Sequence, residues 1–218
     1  MKIDTVIFDL DGTLLNTLDD LHACFNHAIK EFGYPERTKE EIRNFVGNGV
    51  QKALERALPE NISQSELEKV VDCFKKYYSQ NMNTYTKPYD GVEEMLKDLQ
   101  SKGFKLGIVS NKFDDAVKAL SKKYFGSSIA YAVGEGYGIR RKPEADGVNK
   151  VLSELKSKKE NAIYVGDSEV DIQTAENSNL PCISVLWGFK DKDFLVKNGA
   201  KYIAQTPKDI ISIIENEF

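Results

Sequence analysis

The sequence predicts an α/β protein: a doubly wound, Rossmann-like parallel sheet with a small α-helical domain inserted into it. Three observations carry that reading. Short β-branched and aromatic runs recur along the chain and alternate with helix-period segments, the pattern of a parallel sheet covered on both faces. One interval, from Asn16 to about Tyr85, breaks the alternation and reads as helix throughout. The chain has 218 residues, 41% of them apolar, enough for one sizeable core and a smaller appended domain.

The first strand is TVIF, residues 5–8, an apolar run bounded by acidic residues and Gly12. The helical interval follows, as TLDDLHACFNHAIKEFG, TKEEIRNFV, GVQKALERAL and SQSELEKVVDCFKKYYSQNM. Its crossings to the sheet fall near residues 15–18 and 83–88, the return running through the turn-rich NTYTKPYDG with Pro88 and Gly91. The expected division is a core of residues 1–15 and 86–218 and a helical domain of residues 16–85. Beyond the interval the alternation resumes. Strands are expected at 105–110, 129–133, 162–166, 182–187 and 202–204, and helices at 91–103, 114–125, 146–157 and 171–179.

Charge excludes several functions. Thirty basic residues stand against 34 acidic ones, for a formal charge of −4, with no Lys/Arg-rich block to meet nucleic acid or an anionic membrane. No apolar segment approaches the about 20 residues that a membrane span needs, and the chain starts directly in a strand-like run, so the expected location is the cytoplasm. Three cysteines, Cys24, Cys73 and Cys182, form no CxxC pair and suit a reducing compartment as idle thiols. His22 and His27 are five apart, off the spacing that aligns two ligands on a helix face.

In a parallel α/β sheet, ligands gather outside the carboxyl ends of the strands, near the point where strand order reverses. The first strand is followed by Asp9, Leu10, Asp11, Gly12 and Thr13, the second by Ser110, Asn111 and Lys112, and the fourth by Asp167 and Ser168, with Asp171 four residues after Asp167. Carboxylates converging there would repel one another unless a cation sat among them. Oxygen ligands and few histidines favour a hard ion, Mg²⁺, over zinc. Gly12 and Thr13 begin a turn whose backbone N–H groups can receive an anion, and a phosphoryl group meets that requirement.

The segments DLDGTLL (9–15), VSN (109–111), RKPEAD (141–146) and GDSEVD (166–171) resemble, in order and spacing, the four motifs of the haloacid dehalogenase superfamily. The resemblance implies that Asp9 is a nucleophile forming an aspartyl-phosphate, and that Asp11 is the general acid and then the base, binding metal only through its main-chain carbonyl. It implies that Asp167 is a direct carboxylate ligand of Mg²⁺, with Asp171 or Ser168 orienting metal-bound water or the neighbouring loop. Asp171 also suits an ordinary helix N-terminal acid. Ser110 and the backbone of Asn111 correspond to donors to phosphate oxygens, and a helix cap is the bland alternative for Ser110. Lys142 would bring positive charge to the phosphoryl group and to Asp9.

The helical interval resembles the type-one cap of that superfamily, which sets specificity, and FVGNGVQKALERAL resembles the cap loop of its phosphoglycolate phosphatase branch. There Gly47 and Gly49 would let the loop approach a phosphate site and Asn48 could bond a small substrate, although a plain helix start fits the same residues. Two positions depart from the family pattern: Ala145 replaces a proline, and Asn179 stands where a glycine commonly ends the helix, a place asparagine tolerates. The leading expectation is a Mg²⁺-dependent phosphatase acting on a small phosphorylated metabolite, phosphoglycolate first and pyrophosphate or other small esters behind it. A sugar phosphomutase and a non-catalytic metabolite-sensing module are the alternatives, and monomer or homodimer is left open.

Overall fold

The structure is a computed structural model that describes residues 3–136 and 138–218. It divides into two compact units, Met1–Leu15 with Pro88–Phe218 and Asn16–Lys87.

The larger unit is built on a parallel sheet of six strands: β1 (Thr5–Phe8), β4 (Lys105–Phe113), β5 (Tyr131–Glu135), β6 (Ala162–Gly166), β7 (Cys182–Val185) and β8 (Tyr202–Ala204). Their order is β5-β4-β1-β6-β7-β8, with every pairing parallel. From β1 the chain builds outward on one side through β4 and β5, then returns to build outward on the other through β6, β7 and β8. The order therefore reverses at β1, and the ends of β4, β1 and β6 lie side by side. All four residues of β1 are buried, because the sheet is covered on both faces. Val6 and Phe8 join one core with helices α5 (Val92–Ser101), α6 (Asp114–Phe125) and α10 (Pro207–Glu217). Ile7 joins the other with α7 (Asp146–Glu154) and α8 (Glu169–Ser178).

The strand and helix expectations hold, with shifted ends. β4 runs on to Phe113, β5 is displaced to Tyr131–Glu135, β7 stops at Val185 rather than residue 187, and α8 begins at Glu169 rather than Asp171. Asn179 takes the left-handed conformation, φ 58° and ψ 43°, and caps α8 as glycine would. Two helices lay outside the expected set: α9 (Lys192–Lys197) and α10, which opens on a Thr206/Asp209 capping box with Pro207 in its first turn.

The smaller unit packs α1 (Leu18–Glu31), α2 (Lys39–Phe45), α3 (Val50–Ala57) and α4 (Gln64–Asn81). Phe25, Phe74 and Tyr78 stack through its centre, with ring centroids 4.8 and 5.2 Å apart, among buried Ile29, Ile42, Leu54 and Val70. Buried Asp20, in the first turn of α1, accepts from the backbone N–H groups of Tyr85 and Thr86 and so fixes the end of the unit to its beginning. The crossings themselves are short strands, β2 (Leu15–Asn16) and β3 (Lys87–Pro88), that pair with each other. Gly47 and Asn48 form the turn between α2 and α3, and Gly49 is the N-cap of α3. His27 stacks on Tyr77, and His22 bonds Asn26 and the carbonyl of Arg37.

Candidate active site

The three adjacent strand ends bring distant acids together. Oxygens of Asp9, Asp167 and Asp171 lie within 4.8 Å of one another, and all three residues are buried. Asp9 is the first residue past β1, and its N–H donates to the carbonyl of Val165 on β6, which fixes where its side chain leaves the sheet. Its Oδ1 lies 2.7 Å from Lys142 Nζ. The same ammonium is 2.7 Å from Asp171 Oδ1, so one buried lysine bridges two buried carboxylates.

Asp171 is spent on the protein. Its Oδ1 accepts from Lys142 and, at 3.3 Å, from the Tyr164 hydroxyl; its Oδ2 accepts from the backbone of Asp167 and Ser168 and from Ser168 Oγ at 2.7 Å. It also forms a capping box with Ser168, the arrangement of a helix N-terminal acid. Asp167 is held differently. Thr13 Oγ1 donates to its Oδ1 at 3.2 Å, and the N–H of Phe189 to its Oδ2 at 2.7 Å. Two glycines make room for it: a Cβ at Gly12, which has φ +87°, or at Gly188 would overlap the Asp167 carboxylate. Trp187 Nε1 donates to the carbonyl of Thr13 at 2.9 Å, tying the loop after β7 to the turn after β1.

Electrostatics follow from burial. Desolvation raises Asp9 well above the ordinary carboxyl range against the pull of Lys142, and Asp171 and Asp167 add to the rise. Asp167 is pushed up to about 7, by burial first and Asp171 second. Burial opposes the charge on Lys142, yet Asp171 and Asp9 together raise its pKa well above normal, so it stays an ammonium.

The second strand's residues need one correction. Ser110 lies within β4 and caps no helix, since α6 starts at Asp114; its Oγ accepts from the N–H of Lys112 at 3.2 Å. Asn111, expected to meet phosphate through its backbone, binds the backbone of Lys142 through its side chain, accepting from its N–H at 2.6 Å and donating to its carbonyl at 3.1 Å. Asp11 stands apart from the acid cluster and pairs with Lys112, at 2.8 and 3.0 Å through its two oxygens. Arg140 stays at the surface, paired with Asp146.

Lys112 and the Trp187–Phe189 loop went unassigned in the sequence. Reading the fifth strand through Trp187 hid the loop; ending it at Val185 would have exposed a strand end like the others. Lys112 carried only the signal of its place, directly after Ser110 and Asn111 at the end of the second strand.

A reversing parallel sheet that gathers buried acids and an ammonium at its carboxyl edge defines an acid-centred α/β enzyme. Residues 6–185 match the haloacid dehalogenase-like hydrolase family, and the chain belongs to that family. It is 31% identical to the phosphoglycolate phosphatase of Aquifex aeolicus over 97% of this chain and 96% of that one. Against the pyrophosphatase PpaX of Listeria innocua it is 29% identical, over 99% and 98%. A crystal structure of a candidate phosphoglycolate phosphatase from Lactobacillus delbrueckii superposes with a TM-score of 0.95 at 38% identity, covering 98% of this chain and 99% of that one. Among the described residues no helix is long and apolar enough to cross a membrane.

Proposed function

We propose that this hydrolase is a Mg²⁺-dependent phosphatase that cleaves a small phosphate monoester through an aspartyl-phosphate on Asp9. The observation that carries the reading is the Lys142 bridge, which fixes one oxygen of Asp9 against Asp171 within a cluster of three buried acids. The donor set fits a hard divalent cation. Three buried carboxylates face one lysine, leaving two negative charges in excess, and burial alone lifts Asp9 and Asp167 towards protonation. Asp9 and Asp167 would hold the ion, with the main-chain carbonyl of Asp11. Asp171, its oxygens already engaged, acts by orienting Lys142 and the Asp167 backbone. When bound, Mg²⁺ supplies the positive charge that lets a dianionic ester approach a carboxylate.

The protein's own groups account for the steps. Ser110 Oγ and the backbone of Asn111 donate to the phosphoryl oxygens, and Lys142 neutralises them. Asp9 attacks phosphorus as the ester P–O bond breaks, and the leaving oxygen takes the proton of Asp11. Asp11, now the anion, accepts a proton from water as that water attacks the aspartyl-phosphate, which releases phosphate and restores both acids. The inserted helical unit, through Asn48 and Gly47 in its α2–α3 turn, is the part read as selecting the ester. The named relatives favour phosphoglycolate and then pyrophosphate as substrates.

The test is phosphate release from a panel of small phosphate esters with and without Mg²⁺. Release is expected to depend on the metal and to fall at least about 1,000-fold in Asp9→Asn. Activity surviving that substitution, or transfer of the phosphoryl group to a hexose phosphate in place of water, overturns the reading.

A further inference from the structure

The reaction described above makes no use of Lys112, yet the fold invests in it. Ser110, Asn111 and Lys112 are all buried, in the stretch where the register of β4 against β5 shifts between Val109 and Phe113. The Lys112 side chain is 3% exposed, more deeply placed than its partner Asp11 at 20%. Burying an ammonium is costly unless a carboxylate meets it, and here both oxygens of Asp11 do, at 2.8 and 3.0 Å. Asp11 is fixed from the other side as well. Its backbone bridges to Leu15, and the N–H of Gly12 donates to the carbonyl of Leu15 at 2.9 Å. The carboxylate is therefore anchored at its backbone and at both oxygens, while its exposed edge stays accessible.

We propose that Lys112 is a positioning residue for the reaction, holding the Asp11 carboxylate in one orientation through both of its oxygens. The inference rests on Asp11 being the acid and base of the phosphatase reading. In that reading one carboxyl group serves two partners in turn, the leaving oxygen and then the incoming water, so its orientation must survive the exchange. A group anchored at two points meets both without a new search, and a misplacement of about 1 Å costs about 100-fold.

The test compares Lys112→Met, Lys112→Arg and Lys112→Ala with the wild type and Asp9→Asn on an ester that the wild type hydrolyses. Lys112→Met is expected to lower kcat about 100-fold and to leave KM within about twofold. Lys112→Arg is expected to recover at least about tenfold of that loss, because a guanidinium also engages both carboxylate oxygens. Added methylammonium or ethylammonium is expected to rescue Lys112→Ala saturably and to leave the wild type unchanged. An unchanged kcat in Lys112→Met overturns the proposal. So does a rise in KM alone, which would make Lys112 a substrate ligand. A loss that neither arginine nor ammonium reverses, with or without a lower melting temperature, reduces Lys112 to a structural group and overturns it too. Asp9→Asn separates the two levels. If that variant retains wild-type release, or if the wild type hydrolyses no ester, the phosphatase reading falls and takes this one with it. An inactive Asp9→Asn beside a fully active Lys112→Met removes only the role given to Lys112.

Discussion

The site has two halves that treat charge in opposite ways. In the deeper half, three carboxylates cluster around one ammonium, with Lys142 bridging Asp9 and Asp171 beside Asp167. In the outer half, both oxygens of Asp11 meet the ammonium of Lys112. Both lysines are almost fully buried, so exposure does not separate the halves. The difference lies in balance: the outer carboxylate meets an ammonium at both oxygens, whereas the deeper group sets three carboxylates against one, and burial with their mutual repulsion pushes Asp9 and Asp167 towards protonation. On the proposed reading, this deficit is what the Mg²⁺ ion makes good.

The strongest way to break this comparison is to remove the deficit. Asp167→Asn is expected to weaken Mg²⁺ binding by more than the about 10–100-fold that loss of an outer partner costs, as read by titration calorimetry. Retained affinity would dissociate the excess charge from the metal. Next in size is Lys142→Met, which removes the bridging ammonium and leaves Asp9 and Asp171 facing each other. It is expected to cost about 3–5 kcal/mol in chemical denaturation without Mg²⁺, and less with the ion present.

The pH response sharpens the contrast further. A carboxyl group whose folded-state pKa lies above its unfolded one binds its proton more tightly when folded. Its favourable contribution is then complete at low pH and is lost as pH rises. For Asp167 the window runs from about 4, the unfolded value, to about 7. Metal-free protein should therefore lose melting temperature across that range, and Mg²⁺ should remove the slope. A flat profile in chelator would show that the deeper half carries no excess charge. The smallest expected effect belongs to Gly188→Ala, whose new Cβ would press on Asp167 and on the Gly12 carbonyl. A loss of about tenfold in Mg²⁺ affinity is expected, with little change in the Asp11–Lys112 pair as seen in a crystal structure.

Much of this was legible in the sequence because the signals are local. TVIF and AIYVG are unbroken apolar strands, and the first polar residue after each is an acid of the deeper half. The order of the strands sufficed to bring Asp9 and Asp167 to one sheet edge, whereas Lys142 stood out only through the motif resemblance. What stayed hidden depends on tertiary partners. Nothing local tells whether Asn111 bonds a ligand or the backbone of Lys142, 31 residues away. The pairing of Lys112 with Asp11 spans 101 residues and exists only because β4 and β1 are neighbours. The last helix, by contrast, was readable from its Thr206-Pro207 start and Asp209.

Trp187 is the chain's single tryptophan, and its indole is tied to Thr13, the residue that also touches Asp167. The molecule thus carries its own optical gauge. Excited where tyrosine does not absorb, the protein emits from one indole hydrogen-bonded to the turn after β1, so an occupant that shifts that turn changes the colour or brightness of the light, with no dye attached.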